Sequence, residues 1–328
     1  METKCIKLVG EHNLIWENRE LTLADDEVLV KTVQSSICDA DLRAYLGLNM
    51  PSDLPAFDYI GHEGGGIVVE VGSKVHEFKV GDKVMVFGPH NSFATYFKAH
   101  VDNLHLVPEG MSMEIACLGE PIYVGAYGAY EADPKLGDTV AVVGLNFQGL
   151  LALQIFKKRG VGKLIAIDYS DRHLEIAKEF GADYLINTKN CDAYEEVKKI
   201  TDQKLCHVVF HSCGYWNPRY QEYWNLAREL TRDEGTVASV PDMMSPFTDF
   251  SFHRIHHHAI TIKLPAAMHH SAAFRKIWVP RVMDMVMNGN IDVKPLITAT
   301  YPLEDFMKAM EHFEADEDQV KIRLLAEA

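Results

Sequence analysis

The stretch DYIGHEGGGIVVEVG, residues 58–72, sets His62 and Glu63 beside three consecutive glycines. An imidazole and a carboxylate can both bind zinc, and Cys38 upstream and Glu120 downstream would add a thiolate and a second carboxylate. A catalytic zinc centre takes three protein ligands and keeps a fourth position for water or substrate. The same stretch can also be read as a phosphate-binding glycine loop or as a tight turn before a strand. The phosphate reading is poor, because GHEGGG runs into the extended IVVEVG and its amides lack the dipole of a helix start. The metal reading carries a geometric condition. Neighbours in an extended strand point to opposite faces, so His62 and Glu63 reach one ion only if the chain turns there, which the glycines permit. Spacing alone does not separate this site from a buried cysteine and a hydrogen-bonded histidine, which are common.

A second constellation follows an apolar run. DTVAVVG leads into LNFQGLLALQIFKKRG, so the glycine fingerprint G-x-G-x-x-G falls on Gly144, Asn146 and Gly149, with Asn146 in place of the middle glycine. Asparagine tolerates a left-handed backbone better than most residues, so the turn is expected to survive the change. The turn closes a strand and opens a helix, whose first amides can hold phosphate oxygens. Asp168 ends the next strand at nearly the spacing of a carboxylate that binds the adenosine ribose. A negative charge there repels a 2′-phosphate, so NAD is favoured over NADP.

These groups need two kinds of scaffold. Up to about residue 120 the chain reads as short β segments (EVLVKTVQSSI, GIVVEVG, DKVMVFG, NSFATYFKA), with one helical candidate in CDADLRAYLG. After Pro134, strands alternate with amphipathic helices, the pattern of a doubly wound parallel sheet covered on both faces. The tail returns to a strand (AITIKL), two helices (FRKIWVPRVMDMVMNG and PLEDFMKAMEHFE) and a closing strand in QVKIRLL. With 328 residues, two cores are expected. The formal charge of −15 argues against broad phosphate neutralisation of a nucleic acid. No run reaches membrane-spanning length, the N-terminus lacks a signal-peptide core, and the six cysteines are scattered. A cytoplasmic protein with reduced thiols and no membrane partner is expected.

Over nearly its whole length the sequence resembles the zinc-dependent medium-chain alcohol and polyol dehydrogenases. The matching blocks are SSICDADL, GHEGGGIVVEVGSKVHEFKVGDKV, NSFATYFKAHVDNLHLVPEGM, GEPIYVGAYGA, VAVVGLNFQGLLALQ, GADYLINT, GTVASVP and PLEDFMKAM, in the family's order. The resemblance implies an α/β fold with a β-rich GroES-like catalytic domain (1–122 and 266–328) and a Rossmann NAD-binding domain with a doubly wound parallel sheet (123–265). It implies one catalytic zinc on Cys38 and His62. Glu63 and Glu120 occupy the acidic positions of the sorbitol and threonine dehydrogenase branch: either completes the site, or the two exchange during turnover. Asp41 would orient the ligand histidine, and the tripled glycine would form the bend beside the metal. Gly144, Asn146, Phe147, Gly149 and Asp168, with Cys213 and Gly214 after the fourth strand, would contact NAD. A homodimer or homotetramer is implied as well.

Three departures bear on the chemistry. Only GPHNS joins Phe87 to Phe93, where the family's four-cysteine lobe should lie, so no second, structural zinc is expected. Ala40 and Arg43 stand where the family pattern has a hydroxyl and often a histidine that carry the alcohol's proton away; alanine has no transferable proton, and arginine stays protonated. Glu63, Glu120, Asp39 or water would then take that role. FHRIHHHAITIKLPAAMHH gathers six of the 16 histidines, His253, His256, His257, His258, His269 and His270. It reads as a metal-binding tract or as a polar segment near a subunit-pairing strand. With Arg43, His269 and His270 could meet a polar or anionic substrate.

The leading expectation is zinc- and NAD-dependent oxidation of a secondary alcohol in a polar small molecule: a polyol, sugar or cyclitol. The missing relay groups motivate a second, in which tightly bound NAD is reduced and reoxidised in one isomerisation or elimination. A third, a non-catalytic NAD-binding regulator, is opposed by the joint survival of Cys38, His62, Glu63 and Glu120.

Overall fold

The computed structural model describes residues 1–48, 60–88, 91–214, 217–240, 252–267 and 270–326. The chain divides into two compact units: Met1–Pro121 with His270–Met287 and Leu296–Ala328, and Ile122–His269 with Asn288–Pro295. The return to the first unit therefore falls at His270 rather than 266. Asn288–Pro295, which the sequence reading gave to the first domain, groups with the second. The cause is local: Gln154 takes a hydrogen bond from the Asp292 amide (2.7 Å) and gives one to the Asp292 carbonyl (2.9 Å).

The first unit begins with an antiparallel hairpin, β1 (Glu2–Gly10) and β2 (Asn13–Glu20). There follow β3 (Glu27–Ile37), helix α1 (Asp39–Tyr45), β4 (Glu63–Val71), β5 (Lys83–Phe87), β6 (Tyr96–His100), β7 (Leu104–Leu106), α2 (Met113–Ala116) and α3 (Gly119–Ala132), which continues into the second unit. β3 is the longest strand and the centre of a seven-stranded sheet, hydrogen-bonded to β4, to β6 and to a strand from the C-terminus. Val28, Val30, Val68, Val84, Val86 and Phe97 close one face of it as an apolar core, the branched and aromatic residues expected on a pleated, half-buried surface.

The tripled glycine is not the bend that the resemblance implied. Gly64, Gly65 and Gly66 lie inside β4, paired with β3 on one side and β5 on the other. A methyl group on Gly66 would overlap the Lys31 carbonyl oxygen, and one on Gly65 would sit 2.7 Å from the Val84 carbonyl. These residues let neighbouring strands approach where the β3–β4 register shifts. The turn lies earlier, at Gly61, whose φ of +98° only glycine adopts without strain.

The second unit runs β8 (Thr139–Val143), α4 (Phe147–Lys158), β9 (Lys163–Asp168), α5 (Asp171–Glu179), β10 (Tyr184–Asn187), α6 (Ala193–Ile200), β11 (Cys206–His211), α7 (Tyr220–Leu230), β12 (Thr231–Ser239), α8 (Phe252–His257) and β13 (Thr261–Lys263). All pairings in its sheet are parallel, in the order β10-β9-β8-β11-β12-β13. Counted from β8 this is the 3-2-1-4-5-6 order of dinucleotide-binding sheets. Val140, Ala141, Val142 and Val143 are all fully buried, because helices cover both faces. The chain then supplies α9 (Ala272–Met287), β14 (Ala299–Pro302), α10 (Phe306–Ala315) and β15 (Ile322–Leu325) to the first unit. β15 pairs antiparallel with the end of β3, placing Ile322 opposite Ile37 and Arg323 opposite Ser36.

α3 falls between the β-rich stretch, which ends near residue 120, and the alternating pattern after Pro134, where the sequence suggested no element. Most of its residues are buried, so GEPIYVGAYGAYEA is apolar around most of its circumference and shows no sharp helical period.

Candidate metal centre and dinucleotide turn

Cys38 caps the N-terminus of α1, held extended there by the preceding strand β3. Asp41, three residues into the helix, reaches back to accept the Cys38 amide at Oδ2 (2.9 Å). Its other oxygen accepts the Gly61 amide (3.0 Å) and stands 3.6 Å from His62 Nδ1. One buried carboxylate thus ties the cysteine loop, the turn before β4 and the histidine ring together. A carboxylate on the far nitrogen of a histidine fixes its tautomer and orientation for an ion.

The turn at Gly61 meets the geometric condition on His62 and Glu63. One ligand atom each from Cys38, His62 and Glu63 lies within 4.8 Å of the others. Glu63 is fully buried and accepts the Ser36 hydroxyl, its direct partner across β3–β4. Both its oxygens also accept from Lys321 Nζ, at 2.9 and 3.0 Å. Burial works against the Lys321 charge, but Glu63 more than offsets this and holds the ammonium above the ordinary lysine range. Burial, then Glu63, pushes the Cys38 thiol up to about 12. Burial also opposes a charge on His62, yet Cys38 and Asp41 outweigh it and raise its pKa.

Glu120, in the first turn of α3, is 5% exposed. It has neither a hydrogen-bond nor an ion-pair partner among the described residues. Burial pushes its carboxyl up to about 7, with His62 pulling it down and Glu63 adding to the rise. A carboxyl whose pKa stays raised despite the nearby positive groups His62 and Lys321 suits a cation.

In the second unit Gly144 leaves β8 at φ +87°. Asn146 does not use the left-handed backbone that asparagine tolerates. It sits at φ −67°, ψ −173° as the N-cap of α4, its side chain accepting the Gly149 amide at 3.1 Å. The turn survives the lost glycine through capping. Gly149 is required for a different reason, since a methyl group there would overlap the Gly144 carbonyl oxygen. β8 and β11 are neighbours at the point where the strand order reverses, so the loop after β11 meets this turn. A methyl group built on Gly144 would lie 3.1 Å from the Cys213 amide, and Ser212 donates its hydroxyl to Asn146. Ser212 went unnoticed in the sequence, although its place after the fourth strand marks the switch point where such sheets bind ligands.

Asp168 ends β9 as expected, but it is 2% exposed and serves the turn itself. Its oxygens accept the Leu145 amide (2.7 Å) and the Ser170 amide (2.8 Å), so any ribose hydroxyl would have to share them.

Arg43 is buried within α1. The His270 ring packs on Phe274 (centroids 4.3 Å apart), and its carbonyl accepts from Arg275. His269 lies outside the described residues. His253 and His257 are exposed on α8 with ring centroids 4.2 Å apart, and His258 pairs with Asp233 at 2.6 Å. Lys321 and Ser36, which grip Glu63, were absent from the sequence reading.

Residues 24–140 match the family model of the alcohol dehydrogenase GroES-like domain, and 149–281 that of the zinc-binding dehydrogenases. The chain is 29% identical over 320 residues to sorbitol dehydrogenase of Bacillus subtilis (strain 168), covering 87% of this chain and 86% of that protein. It is 28% identical over 329 residues to D-arabitol-phosphate dehydrogenase of Enterococcus avium, covering 91% and 90%. In fold it resembles zinc dependent alcohol dehydrogenase 2 from Streptococcus pneumonia, at a TM-score of 0.87 and 22% identity over 99% of each chain. Among the described residues no helix is long and apolar enough to cross a membrane. With its GroES-like and Rossmann domains, the chain belongs to the zinc-dependent medium-chain alcohol and polyol dehydrogenases, oxidoreductases that oxidise an alcohol.

Proposed function

We propose that this protein uses zinc and NAD to oxidise a secondary alcohol in a polyol, sugar or cyclitol-like molecule. The observation that carries the reading is the convergence of Cys38, His62 and Glu63 within 4.8 Å; Glu120 stands outside that group, buried and under the electrostatic influence of His62 and Glu63. Cys38 and His62 would hold the zinc, completed by Glu63 or Glu120. The donor set of one thiol, one imidazole and carboxylate oxygen fits this ion. Zinc would supply Lewis-acid polarisation of the alcohol oxygen, and NAD would supply the acceptor for the hydride from its carbon.

The chain's own residues do the positioning. Asp41 keeps His62 turned toward Cys38 while bracing both loops. Gly144 and Gly149 let the pyrophosphate approach the backbone at the start of α4, where the first-turn amides favour anions. The buried charge of Asp168 disfavours a 2′-phosphate and supports NAD over NADP. Two carboxylates in place of further thiolates give a polar centre suited to a polyhydroxylated substrate, in keeping with relatives named for sorbitol and D-arabitol phosphate.

The deciding experiment combines metal analysis with a screen of polyols, sugars, cyclitols and amino alcohols, read as NADH formation. About one zinc per chain and NADH accumulation with a polyol are expected. A protein that takes up no zinc and reduces no NAD with any of these alcohols would not be this enzyme.

A further inference from the structure

We propose that Lys321 is a positioning residue of the metal centre: it holds Glu63 as an internal cation when no ion is bound, and it competes with the ion for that carboxylate. This rests on the zinc reading above. Glu63 and Lys321 are 0% and 3% exposed, so neither charge is screened by water. The ammonium bridges both Glu63 oxygens and anchors itself on the Ile37 carbonyl at 3.2 Å. It is presented by the residue just before β15, whose register sets Ile322 opposite Ile37 and Arg323 opposite Ser36. Ser36 in turn faces Glu63 across β3–β4 and donates to it.

A carboxylate offers about four lone-pair positions. Lys321 takes one on each oxygen and Ser36 a third, so about one remains toward Cys38 and His62. Glu63 is therefore kept within reach of an ion with its charge already shared. Among the described residues Glu120 makes no such hydrogen bond or ion pair, which makes the two acids of the site unequal: one gripped directly by the ammonium, the other only within its field. Without Lys321, Glu63 would lose the ammonium that bridges both its oxygens, and zinc would take over as its counter-charge.

The test compares Lys321→Met, Lys321→Arg and Ser36→Ala with the parent, each chelator-treated and zinc-loaded. For Lys321→Met the melting temperature of the metal-free protein falls and zinc restores most of it, so the zinc-induced shift exceeds the parent's. Zinc affinity by competition with a chromophoric chelator rises about tenfold or more, because a cation repelling the ion has gone. The visible spectrum of the cobalt-loaded variant changes as Glu63 becomes a full ligand, whereas Lys321→Arg retains the parent's spectrum and shift. Ser36→Ala, which keeps the ion pair, enlarges the zinc shift by less; should Lys321→Met fail to fold, this variant decides. An equal loss of melting temperature with and without zinc, with an unchanged cobalt spectrum, makes Lys321 a packing residue and overturns the proposal. If the parent itself binds no zinc, the metal reading fails and this inference with it.

Discussion

Replacing Glu120 with glutamine should stabilise the metal-free protein and weaken its hold on zinc, two effects of opposite sign from one substitution. The carboxyl is buried, has no hydrogen-bond or ion-pair partner among the described residues, and is pushed by burial from an ordinary 4.5 up to about 7. A raised carboxyl pKa means that the fold prefers the protonated form. The stability this confers is whole below about 4.5, drains as the pH rises through 7, and is gone above that. The rise from 4.5 to about 7 corresponds to about 3–4 kcal/mol. Glutamine is nearly isosteric with the protonated acid and never ionises, so Glu120→Gln should gain up to about 3 kcal/mol over the parent at pH 8 and almost nothing at pH 4. Denaturant unfolding of chelator-treated protein at the two pH values measures the difference, and repeating it with zinc should erase or reverse the gain at pH 8. If metal-free Glu120→Gln is no more stable than the parent at pH 8, the carboxyl has a compensating partner and the argument that it awaits a cation is wrong.

Other outcomes follow from the same geometry. Asp41→Ala removes the group that joins Cys38, Gly61 and His62, and should lower zinc affinity about 10- to 100-fold in chelator competition, leaving NADH binding unchanged. Gly149→Ala forces a methyl group against a backbone carbonyl that cannot rotate away; a loss of about 1–3 kcal/mol and weaker NADH binding by fluorescence titration are expected, with zinc content unaffected. Zinc loading at pH 7 must displace the proton of a thiol held near 12. Calorimetry in buffers of different ionisation enthalpy should count released protons, and Cys38→Ser should lower that count by about one.

The parallel sheet was legible because its strands are short apolar runs cut by glycine turns, a pattern that burial on both faces imposes. α3 was not, because burial on most sides blurs the periodicity by which a helix is recognised. At Asn146 the sequence posed the right question and invited the wrong answer. Its identity matters as an acceptor for the Gly149 amide, not as a backbone that bends left. The three glycines of β4 were misassigned because glycine signals a turn and a close strand approach equally well. Lys321 could not be found at all: it lies 258 residues from Glu63, and QVKIRLL contains only one more lysine beside an apolar strand.

That distance also bears on how such a site can exist. Charges of one sign cannot be crowded into a core without an opposing cation. A zinc-bound Cys38 thiolate and ionised Glu63 and Glu120 carry three negative charges against the two positive charges of the ion. The fold carries its own cation in Lys321, delivered by the last strand to pair with β3, and it offsets one of these charges. On this argument the C-terminal strand belongs to the metal centre as much as the cysteine loop does. The buried lysine then stabilises the acid-rich donor set when no ion is bound, and removing it should leave that set more dependent on zinc for its stability.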